Sequence, residues 1–379
     1  MYKKDFPVFK NNPGLVFLDN AASTQKPQYV IDVSDFVSND YANIHRAYEL
    51  SERSEILYEK SKEILAEFLN CKASEVMYNY NGTHFNIIAQ SLANSGFLKK
   101  NKVLLGIREH HANIVPWQIL SKIFGFSIDF IIKCEIDRAD FDKKYDKTVK
   151  VVSLHVSNVT KIYDIKKVKS LLRDDTFFMI DGSQSFPNMK IDVKDICDCF
   201  ILTAHKAMAY TLGAMYLKKD WIKKLTPMLS AIRDVDLLHT VPSDYSKFEA
   251  GTPNIIAVSL LKSLEYIKSI GMEKIREHEQ ELVKYGLERF TKLKEKVKLI
   301  GPKTKDRTAV FSFFIPENKN FNNIEIFAQH NIAIRCGGHC AYPIHKSLNI
   351  PGTCRMSTYL YNDISDLEKF FEVLESIVY

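Results

Sequence analysis

The stretch CFILTAHKAMAY, residues 199–210, runs from an apolar segment straight into a histidine and a lysine. Phe200, Ile201 and Leu202 read as a buried strand, and Lys206 lies just beyond its carboxyl end. Similar runs precede it: KVLLG (102–106), FSIDFII (126–132), KVVSLHVS (150–157) and FFMID (177–181). Each is short, rich in branched or aromatic residues and flanked by polar ones, as buried strands are. Segments with helical spacing, such as TKIYDIKKVKSLLRDD (160–175), lie between some of them. Strands alternating with crossovers predict an α/β fold, with a mainly parallel central sheet and helices on both faces.

After FEAGTPN (248–254) the pattern changes. Pro253 suits a first helical turn, Ile256, Leu260, Leu264 and Ile267 make an apolar stripe, and Gly271 is a natural stop. A second, charged helix is expected from Met272 to about Lys294. Short strands are expected near TAVFSFFIP (308–316) and IAIRC (332–336), then a capped terminal helix in SDLEKFFEVLESIV (365–378). The expected division is a large domain over 15–251 and a smaller α+β domain built from 1–14 and 252–379.

At 379 residues, with 46% hydrophobic and 26% charged content, the composition is that of a folded soluble protein. No apolar run approaches the ~18 residues of a membrane span, and the first residues lack an apolar signal core. A cytoplasmic location is expected. The net charge of +6 comes from scattered lysines, which read as a solvated surface rather than a nucleic-acid tract. Seven cysteines, an odd number in a chain without an export signal, argue against a disulfide framework and for at least one reactive thiol.

Open parallel sheets bind ligands beyond the carboxyl ends of their strands. His155 and Asn158, Asp181 and Gln184, and His205 and Lys206 fall at such ends. A carboxylate and a lysine on neighbouring strand ends can be a buried ion pair. They are also the two groups that pyridoxal 5'-phosphate (PLP) needs, a lysine for its Schiff base and an acid to keep the pyridinium nitrogen protonated.

The surrounding motifs match one family in order from end to end. FLDNAASTQKP (17–27), NIHRAYELS (43–51), EHHANIVPWQ (109–118), HVSNV (155–159), DGSQS (181–185), AHK (204–206), FEAGTPN, RCGGHCAYP (335–343) and CRMS (354–357) resemble a class V aminotransferase-fold cysteine desulfurase of the SUF type, also called group II. The resemblance implies the PLP-dependent transferase fold of type I. It implies that Lys206 carries the cofactor, Asp181 pairs with the ring nitrogen, His110 stacks on the ring and Gln184 bonds the ring hydroxyl. Thr203 and His205 would hold the phosphate, with Thr252 reaching in across a homodimer. Asn158 and Arg355 would grip the substrate carboxylate, a task that suits the rigid fork of arginine. His45, in NIHRAY, would border the site, where hydrogen bonding in the scaffold is an equally simple role for it; His111 would stand behind His110.

Cys340, in the GHCA motif, decides the reaction that the resemblance implies. Its thiolate would attack the sulfur of bound L-cysteine, release L-alanine and keep the sulfur as a persulfide for an acceptor: a carrier protein, an iron-sulfur scaffold or a tRNA-thiolating enzyme. Arg335 and His339 would favour the anion, since only the thiolate is a good nucleophile. Cys71, Cys134, Cys197 and Cys199 read as inert core residues. A zinc site can be drawn from Cys336, His339, Cys340 and Cys354, but the second tight ligand pair of a structural zinc site is missing, and no metal is expected.

Relatives carry R-G-T-T-E-A-I-N-L where this chain reads YNYNGTHFNIIAQSL (78–92), so the loop is two residues shorter. Gly82 and Thr83 remain and would be phosphate ligands by the resemblance, with His84 as a donor in place of a lost hydroxyl. The Gly-Pro pair after the lysine and the glycine after Asn158 are also absent. The fold alone leaves open a selenocysteine lyase, another PLP-dependent lyase or aminotransferase, or a cofactor-free relative acting as a binding subunit.

Overall fold

The computed structural model describes residues 2–132, 138–155, 164–228, 245–249, 254–304, 307–316 and 323–379. Cys134, Asn158, Thr252 and Pro253 lie outside the described residues.

The apolar runs assemble into one seven-stranded sheet. Its members are β2 (Val76–Asn79), β3 (Lys102–Gly106), β4 (Ser127–Ile131), β5 (Val149–His155), β6 (Phe177–Asp181), β7 (Cys199–Thr203) and β8 (Gly213–Leu217), in the order β2-β8-β7-β6-β5-β3-β4. From β4 to β7 every pairing is parallel, so Gly106, His155, Asp181 and Thr203 all end at one edge. The expected α/β architecture is present, and β3, β6 and β7 have the expected bounds. Sequence patterning did not mark β2 and β8. GAMYL is as fully buried as β6 and β7 but has no β-branched residue to mark it, and it lies antiparallel between β7 and β2.

Successive residues of the central strands enter opposite cores, as the period of two requires. Leu104, Val152, Phe178, Ile180, Phe200 and Leu202 face one core, shared with the helices Glu49–Leu69 and Asn254–Ile270. Val103, Leu105, Val151, Phe177, Met179 and Ile201 face the other, under the helices Thr83–Asn94 and Val115–Phe124. Leu260, Leu264 and Ile267 of the expected stripe are fully buried, each worth about 1.5–3 kcal/mol on that basis. Gly271, with φ of 92°, separates this helix from the charged one, Met272–Lys292.

A second sheet has the order β12-β13-β10-β9, from β9 (Lys298–Leu299), β10 (Val310–Phe314), β12 (Arg335–Gly337) and β13 (Thr353–Ser357). Its pairings are antiparallel. Strand β13, TCRMS, alternates strictly: Cys354 and Met356 pack in an apolar core with Phe311 and Phe313, while Thr353, Arg355 and Ser357 project to the other side. Two further strands, β1 (Val16–Phe17) and β11 (Ile332–Ala333), pair in parallel. The terminal helix, Ile364–Val378, is capped by Asp363, whose side chain accepts from the Asp366 amide at 3.1 Å. No helix among the described residues is long and apolar enough to cross a membrane.

Gly182 follows Asp181 at the end of β6. A Cβ added there would lie 1.9 Å from Cζ of Phe200. Gly182→Ala is therefore expected to destabilise the protein by about 1–3 kcal/mol through overpacking, read as a lowered midpoint in urea unfolding. An unchanged midpoint would mean that Phe200 yields without cost.

Candidate active site

The carboxyl edge of the large sheet gathers the polar groups. Asp181 ends β6 almost wholly buried, and its Oδ1 accepts from the Ser183 amide at 3.0 Å. Lys206 closes the short turn Ala204–Lys206 after β7. Burial brings the lysine pKa down from 10.5 to about 8, Asp181 opposes that shift, and Arg355 and Arg335 reinforce it. Cys340, like Asp181, opposes the shift. One lysine thus feels a carboxylate, two guanidinium groups and a thiol, although these are separated by up to 174 residues in the chain (355 minus 181).

Around Lys206 several buried polar atoms lack a hydrogen-bond partner among the described residues. They include Thr203 Oγ1, His205 Nδ1, His84 Nδ1 and Arg355 Nε. A buried polar group without a partner costs about 1–3 kcal/mol, so the Thr203, His205 and His84 atoms beside β7 and β8 leave room for a polar ligand's hydrogen bonds. His205 is held neutral: burial first, then Lys206 and Lys26, take its pKa down to about 4. Its carbonyl accepts from the Thr24 amide at 3.0 Å and from Thr24 Oγ1 at 2.9 Å.

Gly82, with φ of 77°, opens the helix that begins at Thr83. A left-handed residue there costs glycine little, and the first amides of the helix point outward. His84 is fully buried, 3.3 Å from Asn79 Nδ2 through Nε2, and burial takes its pKa down to about 3. Gly213 makes room for it: a Cβ there would meet His84 Nδ1 at 3.1 Å.

His110 sits in the turn that follows β3, and its Nδ1 accepts from the Ala112 amide at 3.1 Å. Below it, Asn113 Nδ2 donates to Glu109 at 2.6 Å and to Ser153 at 2.8 Å. The residue after His110 meets the Cys340 loop. The His111 amide donates to the Cys340 carbonyl at 2.8 Å, and the His111 ring stacks on Tyr342. Gln184 Nε2 donates to the Ala21 carbonyl at 2.7 Å.

Cys340 is partly exposed, and both it and His339 have positive φ, 54° and 50°. Two consecutive non-glycine residues in this region cost about 1–2 kcal/mol each, a concentration of backbone strain typical of functional loops. His339 Nε2 bonds the carbonyl and hydroxyl of Thr353 at 2.9 and 3.0 Å. Burial, with Arg355 and His345 adding to it, brings His339 down to about 2. His339 therefore supplies no positive charge to favour a Cys340 anion, and the positive charge near Cys340 belongs to the arginines. Arg355 is 3% exposed with Nη2 3.4 Å from Asp19, while Arg335 faces it across the strand pair and is exposed.

A correction concerns the cysteines. Cys336 and Cys354 face each other on β12 and β13 and are joined in a disulfide, against the expectation drawn from the cysteine count. Strand register supplied this pairing, and an odd total cannot reveal register. Cys197 and Cys199 are buried with thiol pKa values pushed well up by burial, and Cys71 is raised to about 12. His45 is paired with Glu55, with Nδ1 2.7 Å from Oε1.

The Aminotransferase class-V profile matches residues 16–370. The chain belongs to the class-V aminotransferase family. It is similar to a probable cysteine desulfurase of Pyrococcus abyssi, 33% identical with 99% of this chain and 96% of that one covered. A cysteine desulfurase of Haloferax volcanii is 29% identical, with 99% and 95% covered. The apo structure of a cysteine desulfurase from Thermococcus onnurineus NA1 superposes with a TM-score of 0.92 at 30% identity, over 99% and 97% of the two chains. An Escherichia coli cysteine desulfurase structure, at 22% identity and a TM-score of 0.89, shares the fold.

Within this family member, four residues near the candidate site carried no expected role or only a secondary one. Asp19 faces Arg355, and its pKa is raised by burial against the pull of Arg355 and Arg335. Thr24 braces the lysine turn, His111 ties two loops, and Thr353 anchors His339. Asp19 and Thr24 belong to FLDNAASTQKP, so the motif marked the segment without marking the atoms that matter.

Proposed function

We propose that the protein is a PLP-dependent cysteine desulfurase, converting L-cysteine to L-alanine with the sulfur retained on Cys340. The observation that carries this is the convergence of Asp181, Arg355, Arg335 and Cys340 on the field of Lys206. The donor set fits PLP: a buried carboxylate for the ring nitrogen, an amine of lowered pKa, and unpartnered Thr203 and His205 atoms beside a helix start for the phosphate. When bound, the cofactor supplies an electron sink that loosens bonds at the amino acid's α- and β-carbons.

The chain's own residues do the rest. Lys206, with a pKa of about 8, has a substantial neutral fraction at physiological pH and can act as nucleophile and proton carrier. Asp181 would hold a proton on the ring nitrogen, with His110 against the ring face and Gln184 towards the ring hydroxyl. Gly82, Thr83, His84, Thr203 and His205 would receive the phosphate, joined by the partner subunit's Thr252 in a homodimer. Arg355, Asn158 and Arg335 orient the substrate carboxylate, with His45 at the rim. Cys340 as thiolate forms a bond to the substrate sulfur while the carbon–sulfur bond breaks; the carbon side gains a proton and leaves as alanine. The short RCGGHCA loop supports the SUF-type subgroup, and the partial exposure of Cys340 suits transfer to a sulfur-acceptor protein. Residues 15–251 would form the cofactor domain, and 1–14 with 252–379 the domain bearing Cys340.

The testing experiment is an absorption spectrum of the purified protein before and after L-cysteine, with alanine measured in parallel. A yellow protein whose band shifts as alanine appears is expected; a preparation that stays colourless after PLP is added, or yields no alanine, overturns the proposal. Arg355→Lys is expected to raise the KM for L-cysteine about tenfold or more, because the bidentate fork is lost, with a smaller fall in kcat. An unchanged KM would remove Arg355 from substrate binding.

A further inference from the structure

Two adjacent rungs of the β12–β13 ladder hold unlike pairs. Arg335 lies opposite Arg355, and Cys336 lies opposite Cys354, where the sulfurs are bonded. Because side chains alternate, the arginines share the face turned to Lys206, while the cysteines join the core of the small sheet. Like charges directly opposite on antiparallel strands repel. Asp19 offsets part of this for Arg355, at 3.4 Å. Strand β12 is only three residues long and lies at the sheet edge, so few backbone bonds resist the repulsion. The covalent link is on the very next rung, and the rung after it pairs Gly337 with Thr353, the anchor of His339. The link therefore stands between the arginine pair and the root of the Cys340 loop.

We propose that the Cys336–Cys354 pair is a positioning element for substrate recognition. As a disulfide it holds Arg335 and Arg355 at a spacing that one α-carboxylate can bridge; as a dithiol it lets the rung open and weakens that grip. Affinity for the amino acid then follows the oxidation state of the pair. Closing the link takes two electrons and two protons from the thiols, passed to a low-molecular-weight disulfide that is itself reduced to two thiols; reduction runs the same exchange backwards. The inference rests on the reading of Arg355 as the carboxylate ligand.

The test equilibrates the holoenzyme with reduced or oxidised glutathione, removes the small thiols and locates the bond by peptide mass mapping. L-alanine, which carries the α-carboxylate and no thiol to disturb the pair, is then titrated by the change in cofactor absorbance. The disulfide form is expected to bind alanine about fivefold or more tightly than the dithiol form. Cys336→Ser should behave as the dithiol form after either treatment. Arg355→Lys separates the two readings. If it binds alanine as the parent does, the carboxylate assignment fails. If it binds weakly while the two redox forms of the parent bind alike, the positioning role is overturned. A link that only shifts the unfolding temperature, or that never forms at any glutathione ratio, overturns it as well.

Discussion

Cys340→Ala should give a yellow protein that binds L-cysteine and releases essentially no alanine from it, a loss of about three orders of magnitude or more. The prediction follows from the surroundings of the thiol. Among the described residues, Cys71 and Cys197 have thiols raised by burial, as does Cys199, and Cys336 and Cys354 are bonded to each other. Cys340 is partly exposed on a strained loop and interacts with both Lys206 and Arg355. Because alanine removes the sulfur and little volume, the cofactor band should persist. Alanine release at the parent's rate would remove Cys340 as the nucleophile.

Lys206→Met should abolish both colour and turnover, because the side chain cannot bond the cofactor. A thermodynamic signature should accompany it in the cofactor-free protein. The lysine pKa falls from 10.5 in the unfolded chain to about 8 in the fold. Below pH 8 both states carry the charge, and the fold bears the full cost of burying it. Between these two values the unfolded chain holds more protons, so the parent gains stability as pH rises; above the upper one the cost is gone. The methionine variant should therefore be the more stable at pH 7, by on the order of 2–3 kcal/mol, with the gap closing towards pH 10.5. A pH-independent difference between the two proteins would mean that the amine titrates normally.

The parts of the fold visible in the sequence are those that local pattern controls. The runs 102–106, 177–181 and 199–203 are continuous and apolar, end in polar groups and became strands at those positions. The helix stripe through Leu260, Leu264 and Ile267 was readable for the same reason. β8 was not, because GAMYL, though as fully buried as β6 and β7, contains no β-branched residue to mark it as a strand. At the site, Asp181 and Lys206 were legible as strand-end polar groups, and the ordered motifs added Cys340 and Arg355. The contacts that join them were not. Arg355 opposite Arg335, Cys336 bonded to Cys354, and His111 holding Cys340 depend on pairing between segments far apart in the chain, which no local pattern encodes. Burial also limits what some residues can do: His339 keeps its place beside Cys340, but burial leaves its ring uncharged.

The hydrogen bond from the His111 amide to the Cys340 carbonyl has a consequence for delivery. On the proposed reading of Cys340 as the sulfur carrier, this bond ties its main chain to the turn after β3 and leaves side-chain rotation as the main freedom for delivery. A sulfur acceptor would then have to bring its own nucleophile up to the partly exposed thiol.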